Sequence, residues 1–120
     1  MALVTASVMR GETVRPKLVD GGKALPAPAT PLAAAEAEVL RTEMADVVRV
    51  GSGRRLQEVG VEYAKTGTAE FGTANPPKTH AWMVAGRGDL AIAAYNEEGP
   101  SGSTHAAPFI IAFLKAYGDS

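Results

Sequence analysis

The sequence predicts an α+β fold, an antiparallel β-sheet covered by helices, within one domain of 120 residues. Three observations carry that expectation. Leu32 to Val50 is rich in Ala, Glu, Leu and Met, with apolar residues at helical spacing. His80 to Ala85 and Leu90 to Tyr95 are apolar runs of strand length joined through Arg87-Gly88-Asp89, a Gly-containing connection so short that the two runs must pair antiparallel. In neither run is an alternate set of positions polar, so both faces of the sheet need cover.

Along the chain, residues 1–22 read as a helix end followed by an extended segment. Met1 to Arg10 lacks Gly and Pro and stops at Gly11, as a helix terminus does. No Ser, Thr, Asp or Asn precedes it to cap its first amides, so the start is expected to be a cut through a larger protein. Thr13 to Val19 is extended in character, because Pro16 pushes the residue before it out of the α region, and Asp20-Gly21-Gly22 ends it in a turn. Residues 23–31, with Pro26, Pro28 and Pro31, form a linker that no helix can cross.

The next helix spans 32–50, with Thr30 as cap and Pro31 in its first position. Val39, Leu40, Met44, Val47 and Val48 form its apolar stripe, which is expected in the core, and Gly51-Ser52-Gly53 breaks it. Residues 59–97 hold three strands, Val59 to Thr68, His80 to Gly86 and Leu90 to Glu97, the first two separated by a Gly/Asn/Pro loop and the last two by a three-residue turn. Gly99 to Ser103 is expected to be a flexible loop. A final helix covers 106–117, burying Phe109, Ile110, Phe113 and Leu114 and ending at Gly118.

Composition removes several classes of function. No cysteine is present, which excludes disulfides, Cys-based metal centres and a thiol nucleophile. Twelve Lys and Arg against 13 Asp and Glu leave a net charge of −1, without the clustered excess of cations that a nucleic-acid binder needs. No apolar run approaches the roughly 18–20 residues of a membrane span, and Met1 to Val4 lacks the basic start of a signal peptide.

Lys65-Thr66-Gly67-Thr68-Ala69-Glu70 is the cluster least explained by folding. Glycine weakens a strand interior and is tolerated where a ligand or another backbone approaches closely. A cation, two hydroxyls and exposed amides around it suit a carboxylate; polar residues at a strand end facing water are the plainer account. A phosphate-binding loop fits poorly, since its Lys-Thr follows a glycine-rich loop and opens a helix, whereas Glu62-Tyr63-Ala64 precedes Lys65. Gly51-Ser52-Gly53-Arg54-Arg55 could hold an anion on its amides, but reads more simply as a loop after a helix. Arg87-Gly88-Asp89 matches an adhesion signal yet is expected to be only a turn. His80 and His105, even with Glu97 or Glu98, are too few and too far apart to argue for a metal, and no cofactor is expected.

The order of these pieces resembles the C-terminal part of a penicillin-binding protein transpeptidase domain, the serine D,D-transpeptidase family with its β-lactamase-like fold, particularly that of actinobacteria. The resemblance spans essentially the whole chain: the Met1 to Val19 helix and strand, the helix with Met44, Val47 and Val48, Gly51-Ser52-Gly53, Lys65 to Glu70, His80 to Gly86, and the Gly-Ser loop into Ala106-Ala107-Pro108. It implies that Lys65 supplies positive charge near the nucleophile and that Thr66 and Thr68 hydrogen-bond the substrate carboxylate. It also implies that Gly67 lets the substrate lie along the strand and that the Thr68 amide is half of the oxyanion hole. The implied ligands are a peptidoglycan stem peptide or a β-lactam, at an extracytoplasmic site in the cell envelope. Of the three family motifs only Lys-Thr-Gly is present. Ser7, Ser52, Ser101, Ser103 and Ser120 have neither Lys three positions on nor Asn two positions on. The chain alone is therefore expected to be inactive, with an unpaired sheet edge that favours self-association or the missing N-terminal half of the domain. The alternatives are a stand-alone non-catalytic binding or oligomerisation module, and a chain that completes a separate N-terminal half in trans.

Overall fold

A computed structural model describes residues 1–118. Helix α1, Ala2–Arg10, ends at Gly11, whose φ of 75° is left-handed. The amides of Gly11 and Glu12 return to the Ser7 carbonyl, closing the helix as the sequence predicts. The segment after it is not a strand. Its polar groups bond elsewhere: Ser7 Oγ accepts from the Val14 amide, Arg15 Nε donates to the Leu25 carbonyl, and Thr13 Oγ1 accepts from the Leu32 amide. Residues 12–33 are thus an irregular strap tied to α1 and to itself.

That tie shortens the second helix. With the Leu32 amide held by Thr13, α2 runs Ala34–Arg49, and Glu36 caps it by accepting from the Ala33 amide at 3.1 Å. Thr30 is not its cap and Pro31 lies outside it. Ala37, Met44 and Val48 are its buried residues, whereas Val39 is 59% exposed. The expected apolar stripe therefore loses Val39, which lies two residues on from buried Ala37 and so on the opposite side of the helix.

A 3-10 helix, Arg54–Val59, replaces the start of the expected first strand. Its Gln57 Nε2 donates to the Val48 and Arg49 carbonyls, satisfying the open end of α2. Gly60, at φ 70°, then reverses the chain, so β1 begins only at Tyr63 and continues to Phe71. β2 is Lys78–Arg87, extending past the expected His80–Gly86 at both ends, and β3 is Leu90–Asn96, one residue shorter than expected. The three form an antiparallel sheet in the order β1-β2-β3. The β2–β3 connection is a two-residue turn, Gly88-Asp89, tighter than the expected three; Gly88 has φ 58° and Asp89 does not have positive φ, the pattern of a type II′ hairpin.

Both faces are packed, as the apolar β2 and β3 require. On one face Ala64, Met83, Ala85 and Ala94 meet Leu56, Val59 and Val61, together with Ala107, Ile110, Ile111 and Leu114 of helix α4, Ala107–Gly118. On the other, Val84 and Tyr63 meet Val8 of α1 and Met44 of α2. Two expectations for the C-terminal region change. The Gly-Ser loop holds a single helical turn, α3, Gly102–His105. In α4, Phe109 and Phe113 are 57% and 47% exposed, and Ile111 takes the buried place given to them. Leu56→Ala, at a fully buried side chain, is expected to lower the unfolding free energy by about 2–5 kcal/mol in urea titration.

Candidate functional site

β1 is an edge strand: β2 pairs along one side and no strand pairs along the other among the described residues. Lys65, Thr66, Gly67 and Thr68 occupy its middle, opposite Val84, Met83, Trp82 and Ala81 respectively. Gly67 sits where the neighbouring strand comes near, and a Cβ built there would lie 3.3 Å from Trp82 Cβ. The position is tight on the β2 side.

Lys65 is exposed and its Nζ donates to the Thr66 carbonyl at 2.7 Å. No ion pair engages it among the described residues. Thr66, half-buried, is wedged between the Gly51–Gly53 loop and the start of α3. Its Oγ1 is 3.3 Å from Ser52 Oγ, and a Cβ on Gly102 would stand 3.3 Å from its own Cβ. Thr68 is exposed. The arrangement offers one unpaired cation and the hydroxyls of Ser52, Thr66 and Thr68 along one open edge, a donor set that matches a carboxylate.

Ser52 and Gly102 are members of this site that sequence reasoning placed elsewhere. Gly51-Ser52-Gly53 is the loop after the helix that the sequence favours over an anion site: the amides of Gly51 and Gly53 are spent on the Asp46 and Val47 carbonyls, and what the loop delivers is the Ser52 hydroxyl. The signal for both was available: small Gly-Ser segments on either side of the motif, which allow close approach. Lys65→Ala, at an exposed position, is expected to shift the unfolding free energy by less than about 0.5 kcal/mol, as thermal melts can check.

Nucleophilic chemistry needs a hydroxyl beside a base. Ser7 donates to the Leu3 carbonyl, Ser52 meets Thr66, and Ser101 meets Ser103 at 2.7 Å; Ser120 lies outside the described residues. None of the four described serines has a lysine or histidine partner in these bonds. His80 Nδ1 contacts the Glu97 carbonyl and Tyr95 Oη, and His105 Nδ1 contacts Thr104 Oγ1. Among the described residues no three His, Cys, Asp or Glu side chains gather as a metal would need. Arg87 of the Arg-Gly-Asp turn is structural, donating to the Val59 carbonyl and lying over the Tyr117 ring.

Beyond the motif, four rings cross the same sheet face: Phe71 stacks on His80 at 3.9 Å, His80 tilts against Tyr95, and Tyr95 against Trp82. At the far end of β2, Lys78 pairs with Glu98, whose hydrogen bond and charge raise the lysine pKa above its ordinary 10.5. The pairing is therefore complete below that pH and is lost as pH rises through the raised value. No helix is long and apolar enough to cross a membrane among the described residues. Comparison with protein-family models, with curated proteins and with solved structures gives no match.

Proposed function

We propose that this chain is the C-terminal portion of a penicillin-binding D,D-transpeptidase domain, acting in peptidoglycan cross-linking in the cell envelope. It carries the strand that grips the substrate carboxylate and lacks the serine that attacks. The observation that carries the reading is the Lys65-Thr66-Gly67-Thr68 run on a free sheet edge, with an unpaired lysine and hydroxyls from two further segments around it.

In that reading the substrate backbone, or a β-lactam, lies antiparallel to β1. Thr66 and Thr68 donate to its carboxylate, and the charge of Lys65 favours the anion. The space left by Gly67 admits the ligand backbone. The Thr68 amide offers one oxyanion-hole donor; a single such donor is worth about 10²–10³ in rate, and only when a nucleophile faces it. Acylation requires the Ser-x-x-Lys and Ser-x-Asn elements from another segment.

The test is incubation with a fluorescent penicillin. No covalent label is expected on this chain alone; label on it would falsify the claim that it lacks an activated nucleophile. Addition of an N-terminal transpeptidase segment bearing Ser-x-x-Lys is expected to give label on that segment, and Lys65→Ala is expected to slow that labelling on the order of 10²-fold. Labelling of the segment that is indifferent to this chain would overturn the reading.

A second reading, a non-catalytic binding or oligomerisation module, draws on the outer side of β3. There Tyr95, Phe109 and Phe113 expose apolar rings beside the outer edge of β3, which no strand pairs among the described residues, and this favours association. Light scattering separates the two: a stable dimer that no N-terminal segment dissociates favours the module.

A further inference from the structure

Residues 16–25 form a closed loop that projects from the strap. Its neck is fixed twice, by the Leu25 amide donating to the Pro16 carbonyl at 3.0 Å and by Arg15 Nε donating to the Leu25 carbonyl at 2.7 Å. Its tip is a turn in which the Gly22 amide returns to the Val19 carbonyl at 3.0 Å, with Gly21 at φ 71°. Every residue from Lys17 to Gly21 is exposed. Leu18 and Val19, at 80% and 69%, are the two most exposed large apolar side chains among the described residues, and neither belongs to a core cluster. Arg15, Lys17 and Lys23 flank them with no acidic partner among the described residues. The one acid of the loop, Asp20, accepts from the Gly21 amide at 3.1 Å, and Glu12 behind the neck is paired with Arg10.

We infer that this loop docks the chain on an anionic lipid surface, with Leu18 and Val19 entering the headgroup boundary and Arg15, Lys17 and Lys23 meeting lipid phosphates. Charge fixes the sign of the partner, since three cations stand against one acid over residues 15–25. Shape fixes its kind. The tip is convex, and a fluid interface accepts a protrusion without a matching groove, whereas a folded partner would need a concave complement. Apolar side chains buried at the interface and cations drawn to anionic lipid are the two terms that hold a peripheral segment on a membrane. The turn and the closed neck set the loop's course beforehand, so little ordering is required on binding. The inference goes beyond the proposed function, because it uses neither the β1 motif nor a nucleophile nor a second segment.

The test is sedimentation of the whole chain with sucrose-loaded vesicles. At roughly 0.1 M salt, vesicles of phosphatidylcholine with about one third phosphatidylglycerol are expected to bind it about tenfold more tightly than phosphatidylcholine alone. Raising the salt to about 1 M, which shortens the Debye length to about 3 Å, is expected to remove that difference. Lys17→Gln with Lys23→Gln is expected to weaken binding to the anionic vesicles about 20-fold. Leu18→Ser with Val19→Ser, which keeps the charge, is expected to weaken it about tenfold. Arg54→Gln with Arg55→Gln, which removes two exposed cations elsewhere, is expected to leave it within about twofold. All of these positions are exposed, so each variant should stay folded, as thermal melts verify. The inference fails if the chain does not sediment with anionic vesicles, or if both vesicle types bind it alike. It fails equally if either loop variant binds as well as before, or if the Arg54 and Arg55 control loses as much as the lysine variant. Retention on immobilised heparin without vesicle binding would assign the loop to a soluble polyanion and overturn it too. None of these outcomes touches the penicillin experiment, so the two readings stand or fall separately.

Discussion

Gly102→Ala is expected to abolish the cooperative thermal transition of this chain, or to lower its unfolding free energy by about 3 kcal/mol or more. A Cβ built on Gly102 would overlap the Trp82 carbonyl oxygen and lie 3.3 Å from Thr66 Cβ. The first of these is backbone in the central strand, held by partners on both sides, and cannot swing away as a side chain can. Relief requires α3 to lift from β1 and β2, which opens the core beneath Ala106 and Ala107 and removes the wall against Thr66. Gly86→Ala provides the control. Its added methyl would meet Met9 Sδ at 2.5 Å, the flexible end of a methionine that can take another rotamer, so a loss of about 1 kcal/mol is expected. Circular dichroism melts of both variants decide the matter; equal losses would show that the α3–sheet contact yields as readily as a methionine.

The contrast bears on how the site was readable from sequence. Lys65, Thr66, Gly67 and Thr68 stood out because a glycine flanked by a lysine and threonines makes little sense as strand filler, and the edge position follows once β2 is recognised as the strand apolar on both faces. The hairpin was legible for the same reason: two apolar runs closed by Gly88 leave little freedom. Three features were not. The strap over residues 12–33 takes its course from side-chain bonds of Ser7, Thr13 and Arg15 to backbone groups up to 19 residues away, and such long-range pairings leave no periodic trace. The 3-10 helix at Arg54–Val59 follows from the need to close the carbonyls of α2 with Gln57, a tertiary demand that outweighs the strand propensity of Val59 and Val61. Gly102 looked like loop filler because glycine reports flexibility and close packing with the same letter.

The last helix shows where periodicity alone misassigns burial, and what that implies energetically. The sequence places Phe109, Ile110, Phe113 and Leu114 on one face, and the structure buries Ile110 and Leu114 at 1% exposure while leaving the two phenylalanines about half exposed beside β3. That apolar stripe is wider than the roughly 100° seam of an ordinary amphipathic helix, and among the described residues the sheet is three strands wide and ends at β3. Ile110→Ala is therefore expected to cost about 2–5 kcal/mol in this chain, since the side chain is fully buried in the same core cluster as Met83 and Ala94. Phe113→Ala is expected to cost well under that, within about 1 kcal/mol, because much of its ring faces water. If the proposed transpeptidase reading holds and further strands continue the sheet beyond β3, Phe113 becomes core, and the same substitution in the assembled domain should rise to about 3–5 kcal/mol. Urea titration of Phe113→Ala in the chain alone and in the presence of an N-terminal segment measures that change. A cost that stays small in both would mean that nothing covers the outer face of β3, and the wide apolar stripe of α4 would then have to serve contacts of this chain with itself.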